Sequence, residues 1–157
     1  MRAATIQEIK QELATIKPNR LAELCLRLAR FKKENKELLT YLLFEAHNEQ
    51  EYIKSVKQEI DDLFADMNQS HLYFAKKTLR KIIRVINKYC RYSNSKQTEL
   101  ELRLHFCTSL HASGISLHRN TVITNLFQSQ LKKVYAVLDT LHEDLQYDYR
   151  KELEQLK

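Results

Sequence analysis

Residues 70–92 read SHLYFAKKTLRKIIRVINKYCRY. They contain neither glycine nor proline, and Leu72, Ala75, Leu79, Ile82, Ile83, Ile86 and Cys90 recur at helical spacing. That recurrence puts them on one face of an α-helix. At ~100° per residue, Lys77, Arg80, Lys81, Arg84, Lys88 and Arg91 fall within an arc of about 100° on roughly the opposite side. The stretch is thus one long helix with an apolar face and a face of a single charge sign.

The same reading extends in both directions. The 157-residue chain has one glycine, Gly114, and one proline, Pro18. Ordinary usage would supply about 19 such residues in this length. Sheet proteins need both to turn, so the expected fold is all-α. Upstream, Ile6, Ile9, Leu13 and Ile16 mark a first helix over about residues 5–16. Pro18 suits the first turn of a second, which buries Leu21, Leu24, Cys25 and Leu28 and runs to about residue 31. Residues 32–35 are polar and turn the chain. Asn35 then caps a third helix that ends near His47. Leu38, Leu39, Tyr41, Leu42, Leu43 and Phe44 wrap most of its circumference, which places it at the centre of the fold. Asn48 and Glu51 have the spacing of a capping box. They open a fourth helix with Tyr52, Ile53, Val56, Ile60, Leu63, Phe64 and Met67 inward.

Downstream, Ser95 can cap a sixth helix that buries Leu100, Leu104, Cys107 and Leu110. Gly114 followed by Ile115 has the form of a Schellman-type stop. Residues from about 120 past 149 keep helical spacing and form one helix or two. The architecture expected is a single domain over residues 1–157, an antiparallel helical bundle or short helical superhelix of six to seven helices. A faint repeat at an offset of 62 residues aligns Leu21, Leu24, Leu28, Leu38, Leu42 and Phe44 with Ile83, Ile86, Cys90, Leu100, Leu104 and Phe106. Two stacked three-helix units would produce it; so would any two similar amphipathic pairs.

Charge is unevenly spread. The net of +6 divides into −1 over residues 1–67, +10 over 68–138 and −3 over 139–157. No acid occurs between Asp66 and Glu99. A solvated helix face usually mixes signs to gain i,i+4 pairs. The fifth helix does the reverse, so something must answer its cations. Carboxylates of the fourth helix (Glu59, Asp61, Asp62, Asp66) or of the C-terminal region (Asp139, Glu143, Asp144, Asp148) are one source. An acidic protein, or another copy through its acidic tail, is a second. A nucleic acid is a third, without any helix-turn-helix, zinc-finger or RNA-recognition signature.

Catalytic and cofactor chemistry finds little purchase. Cys107 and His111 lie one turn apart with His105 and His118 nearby, but zinc takes three or four ligands and Cys107 falls on an apolar face. No glutamate has a histidine three residues on, as di-iron bundles require; the acid that does is Asp139, with His142. Glycine-dependent phosphate loops and nucleophile elbows are excluded by the glycine count. Asp61 and Asp62 point about 100° apart. Cys25 and Cys90 lack a local charged activator. No metal and no small-molecule cofactor is expected.

No apolar run approaches the ~20 residues of a membrane span. The opening residues alternate charge with isolated apolar side chains, unlike a secretory or transit segment. With three cysteines in an odd set, a cytoplasmic protein with free thiols is expected. The functional expectation is a non-catalytic interaction module whose basic face, Lys77, Arg80, Lys81, Arg84, Lys88 and Arg91, contacts an acidic partner. The runner-up is a nucleic-acid-binding accessory protein using the same face, and the third is a small helical enzyme with a cross-helix site.

Overall fold

The structure is a computed structural model that describes residues 2–115 and 120–156. The described residues form eight α-helices and no strand: α1 (Ile6–Thr15), α2 (Pro18–Phe31), α3 (Lys33–Thr40), α4 (Glu49–Ala65), α5 (Leu72–Ser93), α6 (Lys96–Ala112), α7 (Thr121–Leu138) and α8 (Glu143–Glu154). A π-helical turn, Tyr41–Glu45, continues α3. The fold is all-α and consistent with an antiparallel helical bundle. Among the described residues, no helix is long and apolar enough to cross a membrane. The chain divides into two compact units, Met1–Phe44 and Glu45–Lys157.

In the first unit, Thr5 caps α1. Its hydroxyl accepts from the Glu8 amide, while the Glu8 carboxylate accepts from the Thr5 amide at 2.6 Å, which holds the Glu8 pKa below the usual carboxylate range. Pro18 opens α2, where its missing N–H costs nothing. The turn expected over residues 32–35 is shorter than that. Only Lys32 is extended, and α3 starts at Lys33. Asn35 therefore lies inside α3 rather than capping it, and its side-chain amide donates to the Leu28 carbonyl at 2.9 Å. That bond ties α3 to the end of α2, which packs against it.

The central position expected for the third helix is corrected by the structure. Among the described residues of this unit only Tyr41 is buried, and Leu42, Leu43 and Phe44 are 56%, 61% and 67% exposed. Apolar residues all round a helix are buried only if other helices cover every side, and α3 packs chiefly on α2.

The centre of the second unit is α6, packed against α4, α5 and α7. It buries Leu100, Leu102, Leu104, Phe106, Cys107 and Leu110 together with two polar residues, Thr98 and Arg103. Its apolar circumference is broken up in sequence by Glu99, Glu101, Arg103 and His105, so it reads as an ordinary two-faced helix. Each of these polar groups has a partner in the fold. Arg103 is 5% exposed, and its guanidinium donates to Glu99 at 2.8 and 3.0 Å, to Gln130 of α7 at 2.7 Å and to Asn87 of α5 at 3.1 Å. No buried side-chain polar atom among the described residues lacks a partner.

The caps foreseen here are present. The Asn48 side chain accepts from the Glu51 amide at 3.3 Å, and the Ser95 hydroxyl accepts from the Thr98 amide at 3.2 Å. Gly114 follows the α6 cap with φ +74°, a conformation in which a Cβ would be strained. The last helical region is two helices. After Leu138 the Thr140 hydroxyl donates to the Val137 carbonyl at 2.6 Å, a side-chain competitor that ends α7 without glycine or proline. His142 then caps α8.

Candidate interaction surface

α5 inserts Ala75, Leu79, Ile82 and Ile86 into the core, which turns the basic arc outward. Lys77, Arg80, Lys81, Arg84 and Arg91 are exposed or half-exposed. Lys88 is half-buried, with its ammonium 4.4 Å from the centre of the Tyr89 ring. The six residues do not gather at one place. Lys77, Arg80 and Arg84 line a groove of about 550 Å³ between α5 and α7, whereas Lys81, Lys88 and Arg91 lie outside it. Lys76, absent from the arc derived from the sequence, lines it as well. Ile83, Val122 and Leu126 give the groove an apolar floor, and Tyr73, 70% exposed, completes it. No carboxylate occurs among its described lining residues. The floor was not legible beforehand, because Val122 and Leu126 belong to another helix whose position no local pattern reveals.

Of the carboxylates expected as internal counter-charges for α5, Glu59 reaches that helix, accepting from the Tyr89 hydroxyl at 2.7 Å, whereas Asp61 pairs with His105 at 2.6 Å and Asp62 accepts from Gln58 at 2.9 Å. In the C-terminal region Asp139 pairs with Arg150 at 3.6 Å and Asp144 with His142 at 3.4 Å. Among the described residues, no ion pair involves Lys76, Lys77, Arg80, Lys81, Arg84 or Arg91.

Ionisable groups also converge in a cleft of about 300 Å³ whose lining includes Lys57, Glu101, His105 and Tyr149. They satisfy one another. Lys57 meets Glu101 at 2.8 Å, and the Tyr149 hydroxyl donates to the same carboxylate at 3.0 Å. Burial, reinforced by the Glu101 charge, pushes the Tyr149 phenol up to about 12. Glu101 also accepts from the Gln97 amide at 3.2 Å, so its oxygens are occupied by donors.

Cys90 and Cys107 are poor nucleophiles. Burial raises Cys90 to about 11 and Cys107 to about 12, against a partial opposing pull from the Arg103 charge. Among the described residues, no three histidine, cysteine or carboxylate side chains are placed to share a metal ion. Cys107 is buried and His111 exposed, while His118 lies outside the described residues. No family model, no curated protein and no solved structure matches the chain.

Proposed function

We propose that this chain is a non-catalytic helical interaction module whose α5 face, Lys77, Arg80, Lys81, Arg84, Lys88 and Arg91, contacts an acidic protein partner. One observation carries the reading. The groove between α5 and α7 combines a wall of cations that have no ion pair among the described residues with a floor of Ile83, Val122 and Leu126. A bare polyanion would neutralise the wall and leave the floor wet. An acidic amphipathic segment satisfies both, with apolar side chains against the floor and carboxylates against Lys77, Arg80 and Arg84. The paired state of the polar cleft and the raised thiols support a binding role over a catalytic one. The three unpaired cysteines suit a reducing compartment such as the cytoplasm.

A second reading is favoured by Tyr73, exposed beside Lys76 and Lys77. A stacking ring next to cations is the grammar of single-stranded nucleic-acid binding. Fluorescence titrations at two salt concentrations separate the two. An acidic amphipathic peptide should bind the chain, and Arg80→Glu with Arg84→Glu should weaken it at least about tenfold. A single-stranded nucleic-acid site neutralising about five phosphates would instead show a log–log salt slope near −3.5. Peptide affinity untouched by the double reversal would remove the protein-partner reading.

A further inference from the structure

We infer that the α2–α3 hairpin is a second docking surface, separate from α5, which receives an acidic amphipathic helix of a partner protein along its basic-rimmed groove. The inference begins from a shortfall of burial. The first unit leaves Leu26 52%, Phe31 76%, Leu43 61% and Phe44 67% exposed. Single exposed apolar side chains need no explanation, but a run of them lining one groove does. Together with Ala29 and Leu39 they form the apolar lining of a groove of about 620 Å³ along the hairpin. Leu39 and Leu43 stand one turn apart, the spacing that accepts the i, i+3/i+4, i+7 anchors of a docked helix.

Charge selects the occupant. The rest of the lining includes Arg30, Lys32, Lys33 and Lys36, with no carboxylate among the described lining residues. Lys33 has only a loose, 85% exposed contact with Glu37 at 3.6 Å. A second copy presenting the same face would set these cations against each other, a like-charge juxtaposition that opposes association. Of this chain's own helices, the acidic α4 and α8 are poor candidates. α4 has already buried Tyr52, Ile53, Val56 and Ile60, and α8 has buried Leu153. A nucleic acid would use the rim and leave Phe31, Leu43 and Phe44 in water. What fits both features is a helix with leucine-like anchors on one face and glutamates flanking them. An adjoining groove of the hairpin, with Cys25, Leu28, Leu38 and Leu42, shares Ala29 and Leu39 with the first; it has no charged residue among its described lining and so does not discriminate among occupants.

The chain has no tryptophan, so Phe31→Trp in the full-length protein gives a reporter confined to this groove. The probe is a synthetic amphipathic helical peptide of about 14 residues, roughly four turns, with Leu at i, i+4, i+7 and i+11 and Glu at the flanking positions. A control peptide carries Lys in place of Glu. Expected is a saturable blue shift of the introduced tryptophan's emission with the acidic peptide and none with the control. Arg30→Glu with Lys36→Glu, both surface changes checked for folding by circular dichroism, should weaken binding about tenfold or more. Arg80→Glu with Arg84→Glu should leave it within about twofold, which distinguishes failure here from failure at α5.

The inference is overturned by no shift at millimolar peptide, or by a shift that the hairpin reversals do not weaken. It is equally overturned if emission is already blue without peptide at every protein concentration, since another part of the same chain then covers the groove. A dimer seen by sedimentation and dissociated by Leu43→Asp would assign the face to a second copy instead.

Discussion

Leu42 and Leu104, and likewise Phe44 and Phe106, occupy matched positions of the 62-residue offset, yet they meet opposite surroundings. Leu104 and Phe106 lie in the core of the second unit, whereas Leu42 and Phe44 stand mostly in water. The local pattern is the same in both places and produces helical backbone in both places. The neighbours differ. α6 is enclosed by α4, α5 and α7, while α3 has chiefly α2. Helical periodicity states which side chains share a face; it does not state whether another element exists to cover that face. A unit of this size has too little chain to cover itself fully, so much of its apolar face stays exposed.

This contrast can be broken most directly at the matched phenylalanines. Phe106→Ala should cost about 3–5 kcal/mol through lost burial and the cavity left behind, whereas Phe44→Ala should cost under about 1 kcal/mol. Urea denaturation monitored by circular dichroism measures both, and equal costs would erase the distinction between the units. Next in size is Arg103, a buried cation without a counterpart among the described residues of the first unit. Arg103→Met should cost about 3 kcal/mol, because Glu99 and Gln130 lose their partner. Adding Glu99→Gln should return part of that loss, and strict additivity of the two changes would show that the pair does not act as a unit.

Alkaline pH sharpens the comparison chemically. In the second unit Cys90, Cys107 and Tyr149 have folded pKa values of about 11, 12 and 12, against ordinary values of 9.0, 9.0 and 10.0. All three are raised, so the fold favours the protonated forms. Their contribution is complete below pH 9.0 and is lost as pH climbs through 11 to 12. Urea midpoints should therefore fall steadily above pH 9. At about pH 8, a thiol reagent should modify Cys25, half-buried in the hairpin groove, well before Cys90 and Cys107, which should react only on unfolding. The smallest effect expected concerns helix caps. Ser95→Ala should lower stability by about 1 kcal/mol, while Thr5→Ala should leave the cooperative transition unmoved, because α1 buries nothing for its cap to secure.

The sequence by itself determined the helical class, most helix ends and the one-signed arc on α5. These follow from short-range rules: the near absence of glycine and proline, apolar recurrence at three and four residues, and helix-end residues such as Asn48, Ser95 and Gly114. Only the tertiary structure decided which helix is central, that Lys76 joins Lys77, Arg80 and Arg84 over a floor from α7, and that Asp61 answers His105 rather than α5. The physical reason is range. A cap or a helical stripe is complete within a few residues, whereas burial and charge pairing depend on which distant segment arrives alongside. The polar interruptions in α6 concealed its place at the core until Asn87 and Gln130 came within reach of Arg103.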